Sequence, residues 1–431
     1  MKKILIIGNG ISGITAARHI RKFSDFQITV ISSETEYFFS RTALMYIFMG
    51  HMKFEHTKPY EDWFWKKNRI ELKKTYVKEV YVEEKKLITN SEEEIEYDQL
   101  ILATGSVTNK RGWKGENLKG VQGLVSKQDL DLLEENTINC KQAVIVGGGL
   151  IGVELAEMLH TRKIPVKMLV REDAFWGNVL PKPEANLISN HIKKHGIEIL
   201  HETELSEIIP DENNRVKKII TSNGEGIDCD FVGITTGVKP NIDFLKNSSI
   251  EVDKGILVNE YLETNCKDVF AIGDCAQQRT KLGNRNTIEA VWYTGRMMGE
   301  TLAQTICGNK LPYKPGNWFN SAKFFDIEYQ TYGWVFPESR EGVDDFYWLN
   351  EKEEKCLHFQ FEINSRKFLG VNTFGIRLRH EVVDKWLSEE LPIEQVISQF
   401  SKANFDKEFS KKYHIPLQKE FSKLTKVNQY E

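Results

Sequence analysis

The chain has 431 residues, too many for one ordinary core, so two or three domains are expected. Its composition is globular, 40% hydrophobic, 28% charged and 11% aromatic, with no low-complexity tract of the kind that stays disordered. A net charge of −4 gives no reason to expect a nucleic-acid surface, which normally needs a strongly basic domain.

The run KILII before Gly8 is apolar throughout and reads as a short strand. Only four apolar residues follow the two opening lysines, too few for a secretory h-region. No run approaches a membrane span, so a soluble, cytoplasmic protein is the expectation. The next residues, ISGITAARHIRKF, carry helical periodicity, with Ile14, Ala17 and Ile20 on one side. FQITVIS is a second β-rich run that ends near Glu34. Strand, glycine turn GNGISG, helix and strand make the βαβ context in which G-x-G-x-x-G becomes a dinucleotide fingerprint.

EDWFWKKNRI at 61–70 groups three aromatics with basic residues. A membrane-interface patch would have that composition, but a helix whose aromatics pack inward is the favoured reading. YDQLILATGS at 97–106 is an apolar strand running into Thr104-Gly105. QAVIVGGGLIGVELAEMLHTRKIPVKMLVRE then repeats the first unit, with Gly147, Gly149 and Gly152 in the fingerprint positions. In each copy the first glycine permits a tight turn, the second admits a pyrophosphate to the backbone, and the third lets helix and strand pack closely. The phosphate then sits at a helix amino terminus, where unpaired N–H groups and the macrodipole favour an anion.

HIKKHGIEILH places His191 and His195 at i, i+4, with His201 beyond. That spacing can chelate zinc, but no cysteine or carboxylate stands beside it in a ligand pattern. A solvated helix face is expected and no metal site is assigned. CDFVGITTGVKPN at 229–241 and NCKDVFAIGDCAQ at 265–277 are two further strands, the first reaching Gly237 and the second Gly273-Asp274. An acid at that strand end can accept hydrogen bonds from cofactor hydroxyls; capping the next helix is its plain alternative.

After about residue 313 the pattern changes. LHFQFEIN alternates Leu357, Phe359, Phe361 and Ile363 with polar residues, as a half-buried strand does. Asn364-Ser365 supplies a turn, KFLGVNTFG a returning strand, and HEVVDKWL and IEQVISQF two short amphipathic helices. A separate α+β domain on an antiparallel sheet is expected. The polar tail after 405 has no assignable role. The six cysteines show no C-x-x-C spacing and suit a reducing compartment.

With both fingerprints, ATG, GVKPN and IGDC in this order, the chain resembles the pyridine nucleotide–disulfide oxidoreductase superfamily, the two-dinucleotide-binding flavoproteins. The likeness is strong over roughly residues 1–310 and extends to the remainder only in layout. It implies an α/β fold of two Rossmann-like domains, for FAD and NAD(P), plus a C-terminal α+β interface domain. The corresponding limits are 1–112 and 239–312 for FAD, 113–238 for NAD(P), and 313–431 for the interface domain.

By the same likeness Gly8, Gly10, Ser12 and Gly13 would face the FAD pyrophosphate, and Glu34 the adenosine ribose. Many members place that acid at the strand end, where this chain has Ser32 and Ser33. Val77 would meet adenine through its backbone, and Thr104, Gly105, Gly273 and Asp274 would line the FAD. Gly147, Gly149, Gly152 and Gly237 would hold NAD(P)H, and Glu154 would stand near the flavin–nicotinamide contact. At the end of the second fingerprint's strand, Arg171 suits the 2′-phosphate of NADPH and Glu172 the 2′-hydroxyl of NADH, with NADPH slightly favoured.

Disulfide and peroxide reductases of the superfamily carry a redox cysteine on the helix after the ribose acid. TEYFFSRTALMYIFMG contains none, and Thr42 stands about where the single cysteine of a peroxidase would be. Cys275 is expected to be structural. The segment is instead similar to that of the rubredoxin, ferredoxin and nitrite reductase flavoproteins. Arg41 matches their arginine and would pair with cofactor phosphate, although Thr42 and Ala43 replace prolines and Tyr46 a lysine. Trp292 matches a tryptophan near the flavin, with a core position as the alternative, and Trp318 could cover the flavin.

The resemblance therefore implies an FAD-dependent NAD(P)H oxidoreductase without a redox disulfide. It would pass hydride from NAD(P)H to FAD, then electrons to an acceptor, a small molecule or more often a protein such as ferredoxin or rubredoxin. Rival readings are a peripheral NAD(P)H:quinone reductase docking through 61–70, and a slow-turnover flavin redox sensor. Homodimerisation through the C-terminal domain is a further expectation; nucleic-acid and membrane contact are not expected.

Overall fold

Four largely apolar runs and the more polar edge strand Ile70–Lys74 form one parallel sheet. A computed structural model describes residues 1–427 except 351, 353, 407 and 410. The strand order is Val269–Ala271, Gln99–Leu102, Lys3–Ile7, Gln27–Ser32 and Ile70–Lys74. Ile4 lies opposite Ile28 on one side and Gln99 on the other. Ile4 to Ile7 are all buried, because a parallel sheet is covered on both faces, and this is why the run is continuous rather than alternating. Helix Ile11–Phe23 packs on helix Trp292–Ile306. Gly299 allows that crossing, since a Cβ there would lie 2.6 Å from the Ser12 carbonyl oxygen.

These elements belong to the first of two compact units, Met1–Gly147 with Met158–Ile164 and Leu205–Pro315. The same unit holds a parallel set in which Phe231–Ile234 stands between Ala143–Val146 and Val121–Gln122. It also holds two small antiparallel sheets, Val77–Tyr81/Lys86–Thr89/Glu94–Glu96 and Leu205–Pro210/Val216–Thr221/Gly226–Asp228. A ribbon of Ser106–Thr108 against Val238–Pro240 and a parallel pair, Ile256–Val258 with Ala276–Gln278, complete it.

The aromatic segment at 61–70 forms the short helix Asp62–Lys67. Trp65 is 3% exposed and Phe64 packs against the same core, while Trp63 is 59% exposed. Tyr60 stacks on Phe64 at 4.7 Å and meets Trp65 edge-on at 5.5 Å. The inward-packed helix is therefore the observed form. Among the described residues no helix is long and apolar enough to cross a membrane.

The second unit is Gly148–Glu157, Pro165–Glu204 and Gly316–Glu431. Val166–Leu169 pairs in parallel with Glu198–Leu200, and between them runs helix Lys182–Lys194. The rest is a five-stranded antiparallel sheet ordered Phe319–Phe324, Ile327–Gly333, Phe368–Phe374, Lys355–Glu362, Val343–Asn350. Helices His380–Ser388 and Ile393–Ser398 cover it as anticipated.

Strand Lys355–Glu362 departs from the half-buried expectation. His358 and Gln360 are buried along with the alternating Phe359 and Phe361, and Ile363 is exposed in the turn. The polar residues are tolerated because each is paired. Gln360 exchanges hydrogen bonds with the Phe336 backbone. His358 lies between Glu184 of helix Lys182–Lys194 at 2.8 Å and Asp345 of the neighbouring strand at 2.9 Å. Glu184 also accepts from Asn372 at 2.8 Å. Burial works against protonation of His358, but the two carboxylates outweigh it and push the imidazole up to about 9.

Candidate functional site

The carboxyl end of the five-stranded parallel sheet gathers most of the residues assigned to FAD. Gly8 follows the first strand with φ +115°, and a Cβ there would lie 2.0 Å from the Ala103 carbonyl oxygen. Only glycine fits both constraints. Gly13 sits against Gly8 in the same way, a Cβ being 2.0 Å from the Gly8 oxygen, so helix Ile11–Phe23 starts hard against the strand end. Gly10 caps that helix with no side chain, and nothing lies within 4 Å of where its Cβ would be. The amino terminus is thus open, and its first N–H groups have no carbonyl within the helix. Asn9, which the sequence did not single out, is buried and donates to the Thr35 carbonyl at 2.8 Å, tying the glycine turn to the loop after the second strand.

Thr104 and Gly105 follow the neighbouring strand. Thr104 Oγ1 donates to the Asn241 carbonyl at 2.7 Å, and Asn241 N–H returns a bond to the Gly105 carbonyl at 3.0 Å. Gly273 and Asp274 follow the edge strand of the same sheet. A Cβ on Gly273 would stand 2.4 Å from Ser12 Oγ, so Ser12 meets the Gly273 turn directly. Asp274 accepts from Ser106 Oγ at 2.8 Å. Burial raises the Asp274 carboxyl above its usual range, against the pull of the Ser106 hydrogen bond and the Arg41 charge. An open helix amino terminus beside hydroxyl and carboxylate groups fits a ligand carrying phosphate at one part and hydroxyls at another.

Glu34 and Arg41 meet each other. Arg41 Nη1 and Nη2 grip the Glu34 carboxylate at 2.8 and 2.5 Å, and Nη1 also donates to the Val125 carbonyl. Glu34 Oε1 further accepts the Lys127 backbone N–H at 2.8 Å, at the start of helix Lys127–Asn136. Arg41 is therefore held by a carboxylate rather than displayed for a phosphate. Glu34 is only seven residues from Arg41, but the Val125 and Lys127 backbone groups that complete the arrangement come from more than 80 residues away. Val77 opens its strand with its side chain in the core, which leaves only its backbone for a ligand. Trp292 is the first residue of its helix and 36% exposed, so it is not a core tryptophan.

Thr42 is exposed within 3.2 Å of the Ser40 hydroxyl. Cys275 is fully buried with its thiol directed at the Leu102 and Ile272 carbonyls. Burial pushes that thiol up, away from the reactive thiolate.

In the second fingerprint Gly147 has φ +118°, and a Cβ would meet the Thr235 carbonyl oxygen at 2.6 Å. Thr235 Oγ1 donates to the Val146 carbonyl at 2.9 Å. Gly149 has open space around it, as does Gly237. Gly152 is buried in helix Leu150–Thr161. In the second unit Arg171 is 66% exposed and its Nη2 stands 2.9 Å from Glu172 Oε1, whose side chain is 24% exposed. Burial, helped by repulsion from Glu157, pushes the Glu154 carboxyl up to about 7. Glu157 itself is paired with Lys323 at 2.7 Å. Trp318 lies in this unit too, stacked on Trp334 at 5.7 Å.

The histidine pair is not on a solvated face. His191 is 3% exposed, and Asp326 Oδ1 lies 2.7 Å from its Nε2. The carboxylate missing from the local sequence arrives from 131 residues downstream of His195, across the fold.

The family model for pyridine nucleotide-disulphide oxidoreductases matches residues 2–298. The chain belongs to that family. Membership brings FAD as the cofactor and NAD(P)H as the hydride donor. The nitrite reductase [NAD(P)H] of Bacillus subtilis (strain 168) is 30% identical over 346 residues, 79% of this chain and 42% of its own length. The chain thus spans about two fifths of that family member. The NADH oxidase of Methanocaldococcus jannaschii is also 30% identical, over 76% of this chain and 75% of its own length. Among solved structures of the fold, the ferredoxin reductase for the CYP199A2 system from Rhodopseudomonas palustris superposes with a TM-score of 0.79. It covers 87% of this chain and 91% of its own at 21% identity.

Proposed function

We propose that the chain takes hydride from NAD(P)H onto FAD and delivers electrons to a small redox protein of the ferredoxin or rubredoxin kind. The observation that carries this reading is the open helix amino terminus at Gly10, walled by Ser12, Gly273 and Asp274 and repeated in outline at Gly149. FAD, when bound, supplies the chemistry, accepting a hydride and releasing electrons singly or in pairs.

The chain's own residues bind and orient. The first N–H groups of helix Ile11–Phe23 and the glycine backbone hold pyrophosphate, while Thr104, Gly105 and Asp274 fix the remainder of the FAD. A carboxylate offers about four lone-pair positions, and Glu34 uses three on Arg41 and Lys127. The fourth is left for the adenosine ribose, which makes Arg41 a positioning residue for Glu34. Gly147, Gly149, Gly152 and Gly237 seat NAD(P)H, and Arg171 with Glu172 reads its ribose. Glu154 holds or releases a proton near neutrality and Trp292 presents an exposed ring; both are assigned to the reacting end. The domain limits 1–112, 113–238, 239–312 and 313–431 belong to the same reading.

Acceptors of this type support the choice. The chain is 26% identical to a rubredoxin-NAD(+) reductase of Pseudomonas putida over 72% of its length, and 30% identical to a demethylase ferredoxin reductase subunit of Sphingobium over 76%. None of the cysteines is in a disulfide, which suits a reducing, cytoplasmic setting. Pairing into a homodimer through the C-terminal domain is checked by light scattering.

The test is the visible spectrum of the purified protein, followed anaerobically with NADPH and NADH in separate mixings. Flavin bands that bleach on mixing, with electrons then passed to ferredoxin or rubredoxin at many turnovers per second, are expected. A colourless chain that takes up no FAD would overturn the reading. Fast bleaching with no turnover on any acceptor would leave only the hydride half of it standing.

A further inference from the structure

We propose that His191, His195 and Asp326 form a binding site for one divalent transition-metal ion of the zinc class. None of the three belongs to either glycine fingerprint, and the site does not rest on the redox reading.

His191 is in the last turn of helix Lys182–Lys194 and His195 is its C-cap, so the two rings share a face 4.7 Å apart. Asp326 occupies the tight turn between strands Phe319–Phe324 and Ile327–Gly333. Its Oδ1 lies 2.7 Å from His191 Nε2 and 3.4 Å from His195 Nε2. The three donor atoms all lie within 4.8 Å of one another. Ligand bonds of about 2.0–2.1 Å in a tetrahedron put neighbouring donors roughly 3.3 Å apart. The His195–Asp326 edge already has that length, and the His191–Asp326 edge needs to open by roughly 0.6 Å.

A second observation points the same way. His191 Nδ1 is 3.0 Å from Glu354 Oε2, and His195 Nδ1 is 3.2 Å from the His191 carbonyl oxygen. Each ring thus has an acceptor at Nδ1 that keeps a proton there when an ion displaces the proton His191 Nε2 shares with Asp326. A carboxylate or carbonyl behind a histidine is how metal-bound imidazoles are oriented and made more basic. Glu354 is in turn held by Lys194.

The donor chemistry selects the ion. Two imidazoles and a single carboxylate suit zinc, cobalt or nickel, whereas calcium and magnesium need shells built mainly of oxygen. His191 is buried while the Asp326 carboxylate is largely exposed, so the remaining coordination positions open to water. A bound ion would clamp the end of the helix to the hairpin turn and stabilise both.

The experiment uses the full-length, FAD-loaded chain with any affinity tag removed, stripped with chelator and titrated with zinc chloride against a chromophoric competitor near pH 7.5. Cobalt chloride serves as a spectroscopic second probe. One equivalent per chain is expected, with a zinc-dependent rise in Tm. His195→Ala, at a partly exposed position, and Asp326→Ala, at an exposed one, should each weaken binding about tenfold or more and remove the rise in Tm. Glu354→Gln should weaken it less. Absence of stoichiometric binding would overturn the proposal. So would binding that both variants leave unchanged, which would place the zinc on other residues.

Discussion

Glu154 is the residue whose environment most directly predicts behaviour. Its carboxyl is pushed up to about 7 by burial and by Glu157, so it changes charge where a proton donor or acceptor is useful. The rate of flavin reduction by NAD(P)H should show an inflection within about a unit of pH 7 that Glu154→Gln abolishes. A variant that keeps the inflection would remove Glu154 from the reaction. Arg171 makes a second forecast, about nucleotide choice. A charge-assisted hydrogen bond to a 2′-phosphate is worth about 1.5–3 kcal/mol. Arg171→Ala should therefore raise KM for NADPH at least roughly tenfold while sparing NADH, whose ribose needs only Glu172. An equal loss with both nucleotides would mean that Arg171 does not contact the 2′-position. The two glycine turns were legible because a glycine fingerprint states a backbone constraint within six positions, and Gly8 and Gly147 both adopt positive φ. The Glu34–Arg41 fork was not, because its third member, the Lys127 N–H, is set by the helix beginning there.

Elements show how far local pattern reaches. The strands at the two fingerprints follow from continuous apolar runs buried on both faces, and the helices His380–Ser388 and Ile393–Ser398 from the apolar stripe each buries. Strand Lys355–Glu362 and helix Lys182–Lys194 were misjudged at their polar positions, since His358 and His191 are buried by carboxylates from elsewhere in the chain. The His358 cluster carries a prediction about pH. Raised from 6.5 to about 9, the imidazole stays protonated when folded at pH values where the unfolded chain has lost the proton. Its contribution is complete below about 6.5 and vanishes as pH rises through about 9. His358→Ala leaves Glu184 buried with only Asn372, a loss of about 3–5 kcal/mol for a broken buried pair. Thermal melts from neutral pH to about 9 should show the wild-type Tm falling more steeply than that of the variant. Parallel curves, one simply displaced below the other, would mean that His358 is neutral in the folded chain.

At the scale of the whole molecule, the two-cofactor plan was legible from the order of five short motifs, whereas the acceptor was not. Acceptor choice depends on a docking surface, and surface residues obey no periodicity that a single chain displays. The electron capacity of the protein, however, follows from its thiols. A flavoenzyme with a redox disulfide beside FAD takes up four electrons per flavin, two on each centre; one without it takes up two. Here the segment TEYFFSRTALMYIFMG, where the resemblance would put a redox cysteine, contains none. Cys275 points at backbone carbonyls, and Cys229 and Cys356 are buried with thiols pushed upward chiefly by desolvation. Cys140, Cys266 and Cys307 are half-buried and none is in a disulfide. Anaerobic titration with dithionite should therefore bleach the flavin completely with two electrons per FAD, and prior alkylation with iodoacetamide should leave reduction by NAD(P)H unchanged. An end point at four electrons, or loss of reduction after alkylation, would show a working thiol pair and move the chain to the disulfide-reducing branch of its family.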